Sequence, residues 1–223
     1  MEFSVNLRLL FCAAASAALV STSAQAATNI YYQSFTGGLN ANESVGGTFG
    51  VKNGQVGHAS GGYRKFDYSY YDLALDLTNA LSAELLFDYD IQSEFRYDGF
   101  NVLASTTGLF DPVTDLLTPI SAGFYGPLGT PLPKLGAVAL TGTKKGTVVF
   151  DLSQFAGQTV DLRFQFQADY FADGRGVLLD NVIVNGELAP GAAVPEPNAW
   201  ALMILGFGGA GAMLRRRRSA AVS

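Results

Sequence analysis

The sequence predicts an all-β fold, an antiparallel β-sandwich, and three observations carry that expectation. Short stretches alternate apolar and polar residues with a period of two, the pattern of a strand with one buried face. Glycine and proline clusters separate them, at Gly37-Gly38, Gly46-Gly47, Gly61-Gly62, Pro127 to Pro133 and Asp173-Gly174. No long amphipathic helical period appears between the two ends, so sheets must cover sheets.

Met1 to Ala26 reads as a secretory signal peptide. Arg8 precedes an apolar run from Leu9 to Val20, polar Ser21 to Ser23 follow, and Ala24-Gln25-Ala26 is an A-x-A site for signal peptidase. Cleavage there starts the mature chain at Ala27. The single cysteine, Cys12, falls inside this segment, with Phe11 before it and most of the apolar run after it, which does not suit a lipoprotein site. The mature chain then has no cysteine and no disulfide.

Residues 27–188 are the expected sandwich domain, large enough for one core. Strands are predicted over Asn29 to Phe35, Ser69 to Leu77, Ser82 to Gln92, Tyr97 to Ser105, Leu135 to Leu140, Thr147 to Leu152, Gln158 to Asp169 and Gly176 to Val184. The alternation is plainest in Gln158 to Asp169, where Val160, Leu162, Phe164 and Phe166 share one face and Asp161, Arg163, Gln165 and Gln167 the other. In Ser82 to Gln92, Leu85, Phe87, Tyr89 and Ile91 oppose Asp88 and Asp90. In Ser69 to Leu77, Tyr71 falls on the apolar face with Leu73, Leu75 and Leu77, and Tyr70 on the other with Asp72, Ala74 and Asp76.

After a linker at 189–194, the chain closes on residues 195–218. Pro195-Glu196-Pro197 holds its glutamate in an extended strip. Trp200 and Ala201 follow, in an uncharged run from Ala199 to Leu214 that includes Gly206, Phe207 and Gly208. As a helix that run is about 24 Å long at ~1.5 Å per residue, short of a roughly 30 Å hydrocarbon core but workable in a thin membrane. Arg215, Arg216, Arg217 and Arg218 then fix the cytoplasmic side. An end in arginines does not suit a GPI signal.

This tail resembles the PEP-CTERM sorting signal of Gram-negative bacteria in its "PEPxxWA" form. The resemblance implies export through the inner membrane, transient anchoring by a transmembrane helix over 199–214, and recognition by an exosortase, a membrane cysteine-dependent transpeptidase-like enzyme that removes the tail. It implies a destination at the cell surface or beyond. It does not imply a task there.

A second resemblance concerns the sandwich. "LSAELLFDYDIQSEFRYDGFNVLAS", "VVFDLSQFAGQTVDLRFQFQAD" and "GRGVLLDNVIV" are similar to jelly-roll modules of the MAM and carbohydrate-binding kind, over roughly Leu81 to Val184. Such modules host binding, structural and catalytic roles alike. Period two puts Asp180 beside Leu178, Val182 and Val184, with Val177, Leu179 and Ile183 opposite, so this strand reads as buried on both faces. A carboxylate there needs a partner. The resemblance implies a structural calcium held by Asp180 together with oxygens of an early loop, either Glu43 or carbonyls within Gly37 to Gly50. An aspartate bonding backbone amides near the sandwich rim is the alternative.

The composition excludes several function classes. Outside the terminal signals nine Lys and Arg face seventeen Asp and Glu, a net charge of −8, which repels nucleic acid and acidic lipid. His58 is the only histidine, so a His/Cys zinc site and a Cys nucleophile are excluded, and no G-x-S-x-G elbow or phosphate-binding glycine loop accompanies it. Asp88 and Asp90 form a same-face carboxylate pair of the kind a glycosidase uses, and they carry the rival expectation of a secreted hydrolase with an all-carboxylate site. Asp169 and Asp173 bracket a turn-rich loop. All ten tyrosines lie in the domain, clustered at Tyr31-Tyr32 and at Tyr68, Tyr70 and Tyr71, as a sugar-stacking surface requires. The expectation is a non-enzymatic structural or adhesive protein of the biofilm matrix, with exopolysaccharide as its ligand.

Overall fold

The computed structural model describes residues 27–126, 135–171 and 174–190. The ten strands are β1 (Thr28–Gln33), β2 (Glu43–Gly46), β3 (Gly50–Lys52), β4 (Gln55–Gly57), β5 (Tyr68–Asp76), β6 (Ala80–Gln92), β7 (Gly99–Ser105), β8 (Thr143–Asp151), β9 (Thr159–Gln167) and β10 (Gly176–Leu188). One sheet runs β3-β4-β10-β6-β8, with β1 also paired to β10; the other runs β2-β5-β9-β7. Every strand pairing is antiparallel. The expected antiparallel sandwich is what forms.

The apolar faces read from the sequence meet between the sheets. Tyr71, Leu73 and Leu75 of β5 and Val160, Leu162, Phe164 and Phe166 of β9 are buried against Leu85, Phe87 and Ile91 of β6 and Val177 and Leu179 of β10. Phe87 anchors the centre, edge-on to Phe164 at 5.2 Å and stacked with Phe150 of β8 at 5.8 Å. Rings at these spacings add roughly 0.5–1.5 kcal/mol per pair beyond their buried area.

Three features differ from expectation. Leu135 to Leu140 is no strand: residues 135–137 turn, Leu135 and Ala139 form a small separate apolar cluster, and only Leu140 bridges, to Phe100. Strands β2, β3 and β4 occupy a stretch that its glycines mark as loop. The third difference concerns Asp180. β10 carries a bulge between Asp180 and Ile183, where Asn181 adopts a left-handed φ of 48°. The extra residue flips the alternation, so Val177 and Leu179 point inward before the bulge and Val182 and Val184 after it. The strand therefore has one buried face, and Asp180 is half-exposed on the outer side with Leu178. The physical reason for assigning it a metal is gone.

The signal-peptide residues Ala24 and Ala26, the sorting residues 195–218 and the expected helix over 199–214 lie outside the described residues. Among the described residues no helix is long and apolar enough to cross a membrane.

Candidate functional site

The outer face of the four-stranded sheet is built by residues that strand pairing puts side by side. Asp72 of β5 pairs with Arg163 of β9, and Tyr70 with Gln165. The Arg163 guanidinium grips Asp72 with two bonds, Nε to Oδ1 at 2.8 Å and Nη2 to Oδ2 at 2.7 Å. Its Cζ also lies over two rings, 4.2 Å from the centre of Tyr70 and 4.3 Å from that of Phe110, which reaches over from the β7–β8 connection. A planar guanidinium suits both contacts at once, as an ammonium would not. The bonds from Asp72 hold Arg163 charged and push its already high pKa further up, against the opposing effect of burial.

Tyr70 owes its position to β2. It faces Gly46 across the pair, and a Cβ on Gly46 would lie 2.3 Å from the tyrosine ring, so glycine is the residue that lets the ring lie over the strand. Tyr68, 43% exposed, continues the row: its ring is 5.8 Å from Tyr70, and its hydroxyl donates to Gln165 Oε1 at 3.2 Å and accepts from Arg163 Nη1 at 3.4 Å. Beside this row a cleft of about 360 Å³ opens between Asn42, Ser44, Asp72, Phe110, Asp161 and Arg163. The surface combines flat rings with fixed, paired polar groups.

Other residues singled out in the sequence are occupied elsewhere. Glu43 is a structural hub: Oε1 accepts the hydroxyls of Tyr31 and Tyr71, and Oε2 accepts the Gln33 amide at 2.7 Å and the Asn40 backbone N–H. Burial, reinforced by Glu43, pushes the Tyr31 hydroxyl up to about 12 and raises the Tyr71 hydroxyl too. With four donors Glu43 needs no cation, and Asp180 is not among its partners. Asp180 Oδ1 instead accepts the Asn181 N–H at 2.7 Å, the local backbone bond of the alternative reading.

Asp88 accepts Thr147 Oγ1 at 2.5 Å and Asn181 Nδ2 at 2.9 Å, while Asp90 bonds Arg175 and sits 3.7 Å from Lys145 Nζ. The carboxylate pair is thus engaged in cross-strand contacts of the other sheet. His58 is 2% exposed. Its Nδ1 accepts the Val177 N–H at 3.1 Å, which places the proton on Nε2, 3.8 Å from Asp67 Oδ2 and too far for a hydrogen bond. Asp67 in turn takes the hydroxyls of Ser69 and Thr48. This Ser, His and Asp set is buried, with serine on the wrong partner for a nucleophile.

One grouping was not read from the sequence at all. Carboxylate oxygens of Glu94, Asp98 and Asp169 lie within 4.8 Å of one another at one end of the sandwich. Asp98 and Asp169 are joined by a hydrogen bond spanning 71 residues of chain, so no local spacing announces the cluster.

The fold and its sites define a β-sandwich module with a polar, aromatic outer face and no assembled catalytic group among the described residues. Residues 193–218 match the PEP-CTERM protein-sorting motif. The motif marks the chain for export, C-terminal membrane anchoring and exosortase processing at the surface. No curated protein matches the chain. Among solved structures it is similar to the K1 cleaved adhesin domain of Lys-gingipain from Porphyromonas gingivalis, at 22% identity and a TM-score of 0.43 over 72% of this chain and 99% of that one. A family 29 carbohydrate-binding module from Piromyces equi shares 8% identity at a TM-score of 0.36, over 78% and 98% of the two chains. A family 11 carbohydrate-binding module from Clostridium thermocellum, solved with a mixed-linked tetrasaccharide, shares 12% at 0.36, over 75% and 99%.

Proposed function

We propose that this chain is a non-catalytic surface module that holds matrix polysaccharide on the outer face of its four-stranded sheet. The observation that carries the reading is the row Phe110, Arg163, Tyr70 and Tyr68 beside the Asp72 cleft. Sugar rings present apolar C–H faces and a rim of hydroxyls, which flat aromatic rings and fixed side-chain donors and acceptors match. Arg163, Asp72 and the Tyr68 hydroxyl are held by one another and by Gln165 before any ligand arrives, and that limits the entropy lost on binding. Arg163 is neutralised by Asp72 and the domain is acidic, so an uncharged polysaccharide fits better than an anionic one. The engaged state of Asp88 and Asp90 supports a binding role over hydrolysis.

The test is affinity electrophoresis of the full-length chain in detergent through gels containing neutral or anionic polysaccharides, including exopolysaccharide from an exporting host. A neutral polymer should retard it, and Tyr68→Ala should weaken that retardation about tenfold, roughly 1.4 kcal/mol. No reducing ends should appear on incubation. Unretarded migration in every polymer, or release of reducing sugar, overturns the reading.

A further inference from the structure

We propose that Glu94, Asp98 and Asp169 form a binding site for one calcium ion, which ties the β6–β7 turn to the segment following β9. The site stands apart from the polysaccharide face and does not depend on it.

Two independent observations point to a cation. The first is convergence: the three carboxylates offer oxygens within 4.8 Å of one another. Oxygens bound to the same calcium at ~2.4 Å are at most ~4.8 Å apart, so the three meet the separation that one shared ion requires. The second is Asp98 itself. It is 0% exposed; its Oδ1 accepts the Asp169 N–H at 2.8 Å, but its Oδ2 has no hydrogen-bond partner. An ionised oxygen buried without a partner is expensive, and native folds retain one where a ligand completes it. Neither Asp98 nor Asp169 pairs with a cationic side chain among the described residues.

The surrounding backbone is already shaped. Thr141 Oγ1 donates to the Glu94 carbonyl at 3.0 Å and accepts the Arg96 N–H at 2.8 Å, and Tyr63 Oη accepts the Glu94 N–H at 3.1 Å. Ser93 Oγ donates to the Asp98 carbonyl at 3.2 Å. These bonds hold the Ser93–Asp98 turn while Asp169 comes in from the end of β9. The donor set is all oxygen with no histidine or cysteine, which suits calcium over zinc, and calcium's flexible coordination accepts it where magnesium asks for a near-ideal octahedron. The two joined segments carry exposed Phe95, Tyr97, Tyr170 and Phe171, so the ion would also fix the spacing of an aromatic rim.

Tyrosine-sensitised terbium luminescence of the full-length chain in detergent tests the site, since the Tyr63 hydroxyl lies beside it, accepting the Glu94 N–H. Wild type should show saturable one-to-one terbium emission that calcium displaces, and a melting temperature that rises from EDTA to calcium. Asp98→Asn should weaken binding at least tenfold and remove the calcium-dependent rise. Asp180→Asn should leave both unchanged. Asp169→Asn, at a half-buried position, supplies the same readout should Asp98→Asn not fold. Absence of saturable emission in wild type overturns the site, and so does emission that survives Asp98→Asn or Asp169→Asn or is lost in Asp180→Asn.

Discussion

Asp67 and Asp98 are two buried carboxylates that the fold treats in opposite ways. Burial alone would raise the Asp67 carboxyl, but His58 and the hydroxyls of Ser69 and Thr48 outweigh it and hold the group at about 2, down from 3.8. The hydroxyl bonds have hydrogen-bond geometry and the His58 contact does not, so the hydroxyls matter most. A depressed folded value means that the stabilisation is fully present above about pH 4 and is lost as pH falls toward 2. Asp98 is raised, so its contribution runs the other way, favouring the fold below the unfolded pKa and lost as pH rises through the folded value. Urea titrations from pH 6 to 2.5 should therefore show wild type losing up to about 2 kcal/mol relative to Asp67→Asn. In chelator, Asp98→Asn should be at least as stable as wild type at neutral pH. Parallel pH profiles for wild type and Asp67→Asn would show that the hydroxyl bonds do not hold the Asp67 charge. None of this is visible in sequence: His58 stands there between Gly57 and Ala59 with no period to bury it, and only the pairing of β4 with β10 places it under Val177.

At the scale of elements, what could be read depended on whether the signal was local. β5, β6 and β9 bury the faces their alternation assigns, Tyr71 included, because each is flanked on both sides and must present one face to the core. The β3–β4 hairpin does have a local signal: "VKNGQV" places Asn53-Gly54 between two valines, and both turn residues adopt positive φ, 55° and 73°, as a two-residue hairpin turn requires. The bulge in β10 was not legible, since Asn181 fits an unbroken strand equally well on paper and only its partners β1, β4 and β6 select the kink. Close approach also fixes the β4–β10 contact. Gly57 has φ 129°, and a Cβ there would lie 2.2 Å from the Val177 carbonyl oxygen, backbone that cannot step aside. Gly57→Ala should cost about 3 kcal/mol or more, measured by urea unfolding, and should reduce amide protection in β3, β4 and the first half of β10. A loss below about 1 kcal/mol would show that this edge adjusts freely.

For the whole molecule, the sequence separates address from task, and charge couples the two. Residues 193–218 carry the sorting motif, while residues 27–188 carry a net charge of −8. An acidic domain has no electrostatic attraction to anionic lipid, so the apolar run ending at Arg215 to Arg218 is the element able to hold the chain at the membrane. Under the proposed function, removing it converts a membrane-bound chain into one retained outside by what its sandwich binds. Replacing Pro195, Glu196 and Pro197 with alanine should therefore leave the chain in the membrane fraction with its arginine cluster attached, whereas the unaltered chain loses those peptides in a host that has an exosortase. In such a host, Tyr68→Ala should be processed normally and then pass from the cell-associated fraction into the medium, because sorting and the proposed polysaccharide retention use different residues. Mass spectrometry of C-terminal peptides reads the first step, and fractionation the second. Identical C-terminal peptides with and without the exosortase would sink the processing step; normal processing with unchanged retention of Tyr68→Ala would show that something other than this face holds the released protein.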